Sequence, residues 1–418
     1  MLQNLLFNRV EQRLQQESWP VNFEFWNGKL LELSDSSRIT IRVRSPKALA
    51  SLAKPTLGKL AQNYIEQHID LVGDIREIIK LGDALCNTSG RIVQKGGLRL
   101  GWRRHTRSTS RDAISFHYDV SNDFYKLWLD SNLVYSCAYF RRPDDSLDLA
   151  QEQKLDHICR KLDLKENERF LDIGCGWGGM ILWAVEHYGV RAEGITLSRN
   201  QYEYIQSEIQ TRGLEGRCRV RLLDYRDLPE TALFDKIASV GMFEHVGRKN
   251  LSVYFGKIYR LLKPGGLVLN HGITSASLDG SELGSGVGEF IERYVFPGGE
   301  LSHVSQVAEA LSRQTLECLD MECLRPHYAR TLWYWVDRLE TMQDEARRLV
   351  GEDRFRIWQI YMGGSAYAFE RGWLSIFQIL AAKPLNDGTV PYPLTREHVY
   401  REKPLVGALQ LSPSWQAG

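Results

Sequence analysis

Residues 171–179 read LDIGCGWGG, an apolar run that closes on an aspartate and is followed by glycines at 174, 176 and 178. The stretch RFLDIG before them has the length of a buried strand, and GMILWAVEHYG after them carries its apolar residues at helical spacing. Glycines between a strand and a helix allow a tight turn and let a ligand come close to the backbone. Such a turn also needs glycine for steric reasons alone, so its surroundings decide its reading. From about residue 150 helices and short apolar strands alternate. QEQKLDHICRKLDL precedes RFLDIG, GMILWAVEHYG precedes RAEGITL, QYEYIQSEIQTRG precedes RVRLLD, and FDKIASVGMF and GGLVLNHGIT follow. This order predicts an α/β protein with a doubly wound, Rossmann-like, mainly parallel sheet. Two long helical patterns come next, YARTLWYWVDRLETMQDEARRLV and FRIWQIYMGGSAYAFERGWLSIFQILAAK, the second interrupted by Gly363 and Gly364.

Upstream, the pattern is different. MLQNLLFNRVEQRLQQ is an amphipathic helix with Leu2, Leu5, Leu6, Val10 and Leu14 on one side, and its early charges do not fit a secretory signal. VNFEFW and RITIRVR alternate like strands; Ser45 caps a short helix with Pro46 at its first position, and a second helix follows Asp74. Residues 1–90 therefore form a small α+β domain. Residues 91–112 form a linker in which Arg91, Lys95, Arg99, Arg103, Arg104, Arg107 and Arg111 meet no acidic residue before Asp112. A charge run of this kind is either a solvated connector or a patch attracted to anionic lipid, where each basic residue contributes ~1 kcal/mol. Residues 113–385 carry the alternating domain, and 386–418 form an irregular tail.

The chain of 418 residues has 43% hydrophobic and 25% charged residues and a net charge of +1, which excludes a dedicated nucleic-acid binder. Seven cysteines without a CxxC pair fit a reducing, cytoplasmic compartment. No apolar run reaches the ~20 residues that span a bilayer. Any membrane contact is therefore peripheral.

Candidate ligand-binding residues cluster at predicted strand ends, where open parallel sheets bind ligands. Asp172 ends the first strand, Asp224 the third, and Thr196 and Gln201 flank the second in GITLSRNQ. Glu193 stands at the distance at which a dinucleotide-binding protein holds a ribose, which leaves that alternative open. Glu244 and His245 follow the fourth strand in FEHVG, and His271 follows the fifth. In LVYSCAYF, Cys137 is readable as core filler, nucleophile or ligand.

The glycine loop with these strand ends resembles the class I S-adenosylmethionine-dependent methyltransferase fold. HYDVSN, LVYSCAYF, LDIGCGWGG, GITLSRNQ, FEHVG, LLKPGG, NHGITS and FIERYVFPGG, in this order, are similar to the cyclopropane-fatty-acyl-phospholipid synthase family over about residues 113–381. The resemblance implies transfer of a methylene from S-adenosylmethionine to the cis double bond of an unsaturated phospholipid acyl chain. A carbocation forms and is deprotonated by bound bicarbonate, held at positions matching Cys137, Glu244, His271 and Tyr328 with a backbone contact at Ile273. It implies cofactor contacts at Tyr135, Ser136, Asp172, Gly174, Gly176, Thr196, Gln201, Tyr225 and Arg226, no metal, a homodimer, and a place on the inner face of the membrane. Tyr139, Phe140, Phe243 and Tyr294 are aromatic candidates for stabilising the cation. Many relatives carry cysteine where this chain has Ser365, a change that chemistry without a thiol nucleophile tolerates. The alternatives are a lipid C-methyltransferase that leaves a methyl or methylene branch, a small-molecule N-methyltransferase, and zinc held by Cys137, Glu244 and His271.

Overall fold

A computed structural model describes residues 2–15, 19–35, 37–87, 121–231, 233–278, 291, 294 and 300–401. The basic linker and most of the predicted tail lie outside the described residues. Contacts divide the chain into two compact units. One draws on residues up to 101, 281–297 and 332–373; the other draws on 102–280, 298–331 and 374–418. Residues 332–373 thus join the N-terminal elements, so the units are not the consecutive segments that the sequence suggests.

In the first unit, strands β1 (Asn22–Phe25), β2 (Leu30–Glu32), β3 (Thr40–Val43) and β4 (Ile69–Val72) form a sheet in the order β2-β1-β3-β4. Phe23, Phe25, Ile41 and Val43 turn inward at every second position, the period of a half-buried strand. Val10 and Leu14 of the helix Leu2–Gln15 are buried. Ser45 accepts from Lys47 N at the expected cap, and the expected helix after Asp74 runs over Ile75–Asn87. The helix Glu352–Glu370 passes through Gly363 and Gly364 without a break. Gly363 is there for close packing: a Cβ would stand 2.6 Å from Cδ1 of Ile79. Arg356 anchors this helix. Its Nη1 donates to the carbonyls of Tyr64 (2.8 Å) and Ile69 (3.1 Å), and its Nη2 lies 2.7 Å from Asp70 Oδ1.

In the second unit, β5 (Arg169–Ile173), β6 (Arg191–Thr196), β7 (Cys218–Leu222), β8 (Phe234–Val240), β9 (Leu262–Ser275), β10 (Glu317–Cys323) and β11 (Leu374–Ala382) form one sheet, ordered β10-β11-β9-β8-β5-β6-β7. The run β9-β8-β5-β6-β7 is parallel, as expected. Helices cover both faces. Phe170, Ala238, Leu267 and Leu269 pack with Ile158 and Ile181 on one side, while Leu171, Ile173, Ile237 and Val268 pack with Phe255 and Ile258 on the other.

Two sequence expectations fail at the far edge. LSIFQILAA, read as helix, is the antiparallel strand β11, because Gly372 at φ 72 ends the preceding helix and lets the chain turn back beside β9. Strand β9 also continues past His271 to Ser275, since β11 extends its ladder from Ala382↔Leu267 to Leu374↔Ser275. His271 therefore lies within a strand.

Candidate active site

The glycine loop sits at the carboxyl ends of β5, β6 and β8, as strand order requires. Gly174 has φ 81 and Gly176 φ 54, conformations that other residues rarely adopt. Beside them opens a cavity of about 230 Å³. Tyr135, Ser136, Asp172, Gly174, Gly176, Thr196, Gln201, Tyr225 and Arg226, all nine cofactor-contact candidates, line it. Thr196 Oγ1 donates to Gln201 Oε1 at 2.7 Å, and Arg226 Nη2 lies 2.5 Å from Asp224 Oδ2. Asp172 is buried and its Oδ1 has no hydrogen-bond partner. Burial pushes its carboxyl up to about 7, with the nearby Lys154 charge acting the other way. Glu193 has different work: it lies mid-strand in β6 and is paired with Arg219 and Arg221, away from the cavity lining.

Of the residues matched to the bicarbonate site, none lines this cavity, although their chain neighbours Ser136, Met242 and His245 do. Beyond Val240 the chain leaves the sheet at Gly241, whose N–H donates to His271 O, and Glu244 follows in a short 3₁₀ turn. Its Oε1 takes the ladder position that β8 has vacated, accepting from Ile273 N at 2.7 Å. The backbone contact expected at Ile273 is therefore made by Glu244. Gly272 permits this, since a Cβ there would come within 2.0 Å of the Phe243 ring. Glu244 Oε2 is buried without a partner.

His271 points to the sheet face shared with Leu269, the face covered by helix Leu147–Lys161. Burial, assisted by the charge of Lys154, holds its imidazole well below the ordinary range, so it is neutral. The Gln378 amide nitrogen lies 3.2 Å from Nδ1. With that amide donating, the ring proton resides on Nε2, a buried donor without a partner.

The Cys137 thiol reaches the N-terminal end of the helix Arg325–Thr341, which carries Tyr328. Leu324 O accepts from Tyr328 N at 3.0 Å and from the Cys137 thiol at 3.8 Å. Leu324 N in turn donates to Ile376 O, and Ile376 pairs with Ile273 across β9 and β11. Burial pushes the Cys137 thiol far up, so it is a neutral donor and unsuited to nucleophilic attack. Among the described residues no three His, Cys, Asp or Glu side chains converge to hold a metal, which removes the support for zinc.

Of the proposed aromatic residues, Tyr139 is stacked on His157 and His327 at 4.2 and 4.9 Å, and Arg330 lies over Phe140 at 4.7 Å. Those faces are engaged; Phe243 lies against Gly272, beside Glu244 in the chain.

Sequence reading missed Lys154, which lines the cavity, and Gln378 and Thr331, which contact His271 and Ala138 N. The signal for Lys154 was present: it falls on the buried stripe Leu147, Ala150, Gln151, Leu155 and Ile158, where a polar residue needs a reason.

Burial raises the Glu244 carboxyl from an ordinary 4.5 to about 7, against the opposing Ile273 hydrogen bond. The folded state then holds a proton that the unfolded chain releases, so this contribution favours folding below the unfolded value and is lost as pH rises through about 7. Glu244→Gln is expected to flatten the fall in stability between about pH 5 and pH 8 in urea denaturation. An unchanged slope would contradict the buried, protonated carboxyl.

A family model described as mycolic acid cyclopropane synthetase matches residues 105–379, and one described only as a domain of unknown function matches residues 11–87. The chain is 45% identical over 388 residues, 93% of its own length and 98% of the relative's, to the probable fatty acid methyltransferase of Pseudomonas putida. It is 34% identical over 278 residues, 65% of this chain and 96% of the relative, to cyclopropane mycolic acid synthase 1 of Mycobacterium tuberculosis (strain ATCC 25177 / H37Ra). The crystal structure of mycolic acid cyclopropane synthase CmaA1 complexed with SAH and CTAB superposes with a TM-score of 0.62 at 34% identity, covering 65% of this chain and 98% of that one. On the match over residues 105–379 and the likeness along almost the whole chain, this protein belongs to the mycolic acid cyclopropane synthetase family.

Proposed function

We propose that the protein transfers a methylene from S-adenosylmethionine to the cis double bond of an unsaturated phospholipid acyl chain and closes a cyclopropane ring. The observation that carries this reading is a buried carboxyl oxygen and a buried imidazole N–H, Glu244 Oε2 in the turn after β8 and His271 Nε2 within β9 opposite Val240, both unpartnered, with Val240 and His245 lining the cavity.

Both implied groups fit the residues present. S-adenosylmethionine, when bound, supplies an electrophilic methyl on a sulfonium. The open backbone at Gly176, with Gly174 packed under Met242 and with Tyr135, Ser136 and the orphaned Asp172 Oδ1, suits its amino-acid end. Thr196, Gln201, Tyr225 and Arg226 suit its adenosine. A small oxyanion in an apolar site needs several donors. Cys137, Glu244, His271 and Tyr328 would hold bicarbonate, which would supply a base. Ile273 acts through its N–H, which fixes Glu244. Glu244, with its raised pKa, donates a proton from Oε2, and His271 donates from Nε2. Together these two buried donors would hold the basic group.

The Pseudomonas putida relative, by its name a fatty acid methyltransferase, favours a second reading in which methyl transfer leaves a branch. Transfer to an amine has less support, since a lone pair needs no buried acid and imidazole. Contact with the bilayer is peripheral in this reading, on the inner face and led by the basic residues 91–112; no described helix is long and apolar enough to cross a membrane. Methyl-labelled S-adenosylmethionine is expected to label cis-unsaturated phospholipid vesicles and to leave saturated ones unlabelled. Equal labelling of both would remove the double bond from the reaction.

A further inference from the structure

Lys154 is a buried lysine on the core-facing stripe of helix Leu147–Lys161, and its side chain reaches the cavity wall. Burying an ammonium is costly unless it is hydrogen-bonded and paired. Its Nζ donates to Ser136 Oγ at 2.9 Å, and among the described residues no carboxylate lies within ion-pair distance of it. The other cation of the wall with a guanidinium, Arg226, is already paired with Asp224. Lys154 is therefore a positive charge of the wall that no direct ion pair holds, although Asp130 and Asp172 lie near enough to act on it electrostatically.

Its position has a chemical consequence for Ser136. An ammonium has three donors and no acceptor, so Ser136 Oγ must accept from it, and the hydroxyl proton is turned elsewhere. The loop around Ser136 is held still, because Gln151 Nε2 donates to the carbonyls of Val134 (3.1 Å) and Ser136 (2.9 Å). Ser136 lines the cavity, so the free direction of its hydroxyl is inward. A hydroxyl that accepts from a cation is polarised and becomes a stronger donor. The nearby Asp172 would repel any anion entering that end, and the ammonium offsets it.

We propose that Lys154 is a positioning residue for the carboxylate of the cofactor's amino-acid portion, acting through the Ser136 hydroxyl. This rests on the S-adenosylmethionine reading above and adds a residue to it. The oriented hydroxyl donates to the carboxylate, and the ammonium behind it supplies the compensating charge.

The test compares two ligands that share an adenosyl thioether: S-adenosylhomocysteine, which carries the carboxylate, and methylthioadenosine, which lacks the amino-acid portion. Dissociation constants are measured by titration calorimetry on the full chain. Lys154→Met is expected to weaken S-adenosylhomocysteine on the order of tenfold, the scale of one charge-assisted hydrogen bond, and to leave methylthioadenosine within about twofold. Ser136→Ala should show the same selectivity, and the double variant should lose little more than either single one. Equal weakening of both ligands, or full retention of S-adenosylhomocysteine affinity, would overturn the positioning role. Failure of the unsubstituted protein to bind either ligand would overturn the cofactor reading beneath it, a result distinct from the other two.

Discussion

Replacing Glu244 by alanine is expected to lower the turnover of an unsaturated phospholipid by about 10²- to 10³-fold, the usual cost of removing one preorganised group that meets developing charge. The substitution removes two things at once. Ile273 N loses its acceptor at 2.7 Å, and the unpartnered Oε2 disappears from the buried site. Glutamine separates the two: it retains the Ile273 bond through its carbonyl oxygen and puts an amide N–H where the protonated Oε2 stood. It should fall between alanine and the native residue. Cys137→Ser keeps a neutral donor at the same place and is expected to lose far less than Glu244→Ala. Turnover of Glu244→Ala within about threefold of native, with folding intact, would place the chemistry elsewhere.

The second large effect concerns stability. Arg356→Met is expected to cost about 3 kcal/mol, because it strips donors from two backbone carbonyls and leaves acids without their counter-charge. The guanidinium serves Tyr64 O, Ile69 O, Asp70 and Glu352 together, and it lies 4.6 Å from the centre of the Tyr64 ring. Arg356→Lys keeps the charge but not the planar fork, and should recover only part of the loss. Urea denaturation followed by tryptophan fluorescence measures both. A change below about 1 kcal/mol for Arg356→Met would mean that water replaces these bonds at little cost.

The parallel half of the sheet was legible because each strand and helix there carries its own period, with glycine and polar turns between. RFLDIG and GMILWAVEHYG differ plainly in spacing, and Gly174 and Gly176 mark the turn that joins them. The antiparallel edge was not legible. LSIFQILAA is almost continuously apolar because β11 is covered on both faces, and such a run has no period to separate strand from helix. ECLDMEC, at the sheet edge in β10, is mostly exposed or half-buried and offers little apolar signal. Partners remote in sequence decide both, β9 for β11 and β11 for β10.

The site shows the same division. Thr196 and Asp224 could be placed from strand ends, a local inference, and both border the cavity. Cys137 and Tyr328 came from motif resemblance, since nothing in LVYSCAYF or HYARTLWYW announces that the Cys137 thiol reaches Leu324 O, the acceptor of the Tyr328 backbone N–H. Lys154 lay hidden in a helix whose apolar neighbours drew the eye to the core. Its role depends on the approach of Ser136 from a separate loop, which no spacing within the helix could show.

Ring closure is tested most directly by the mass of the product. The protein is incubated with S-adenosylmethionine and cis-unsaturated phospholipid vesicles, and the released acyl chains are weighed before and after mild catalytic hydrogenation. Chains heavier by one methylene that take up no hydrogen are expected, as a cyclopropane requires. Chains that gain the same mass and still take up hydrogen would contradict ring closure and establish a methylene branch; no gain in mass while the cofactor is bound would contradict lipid as the acceptor.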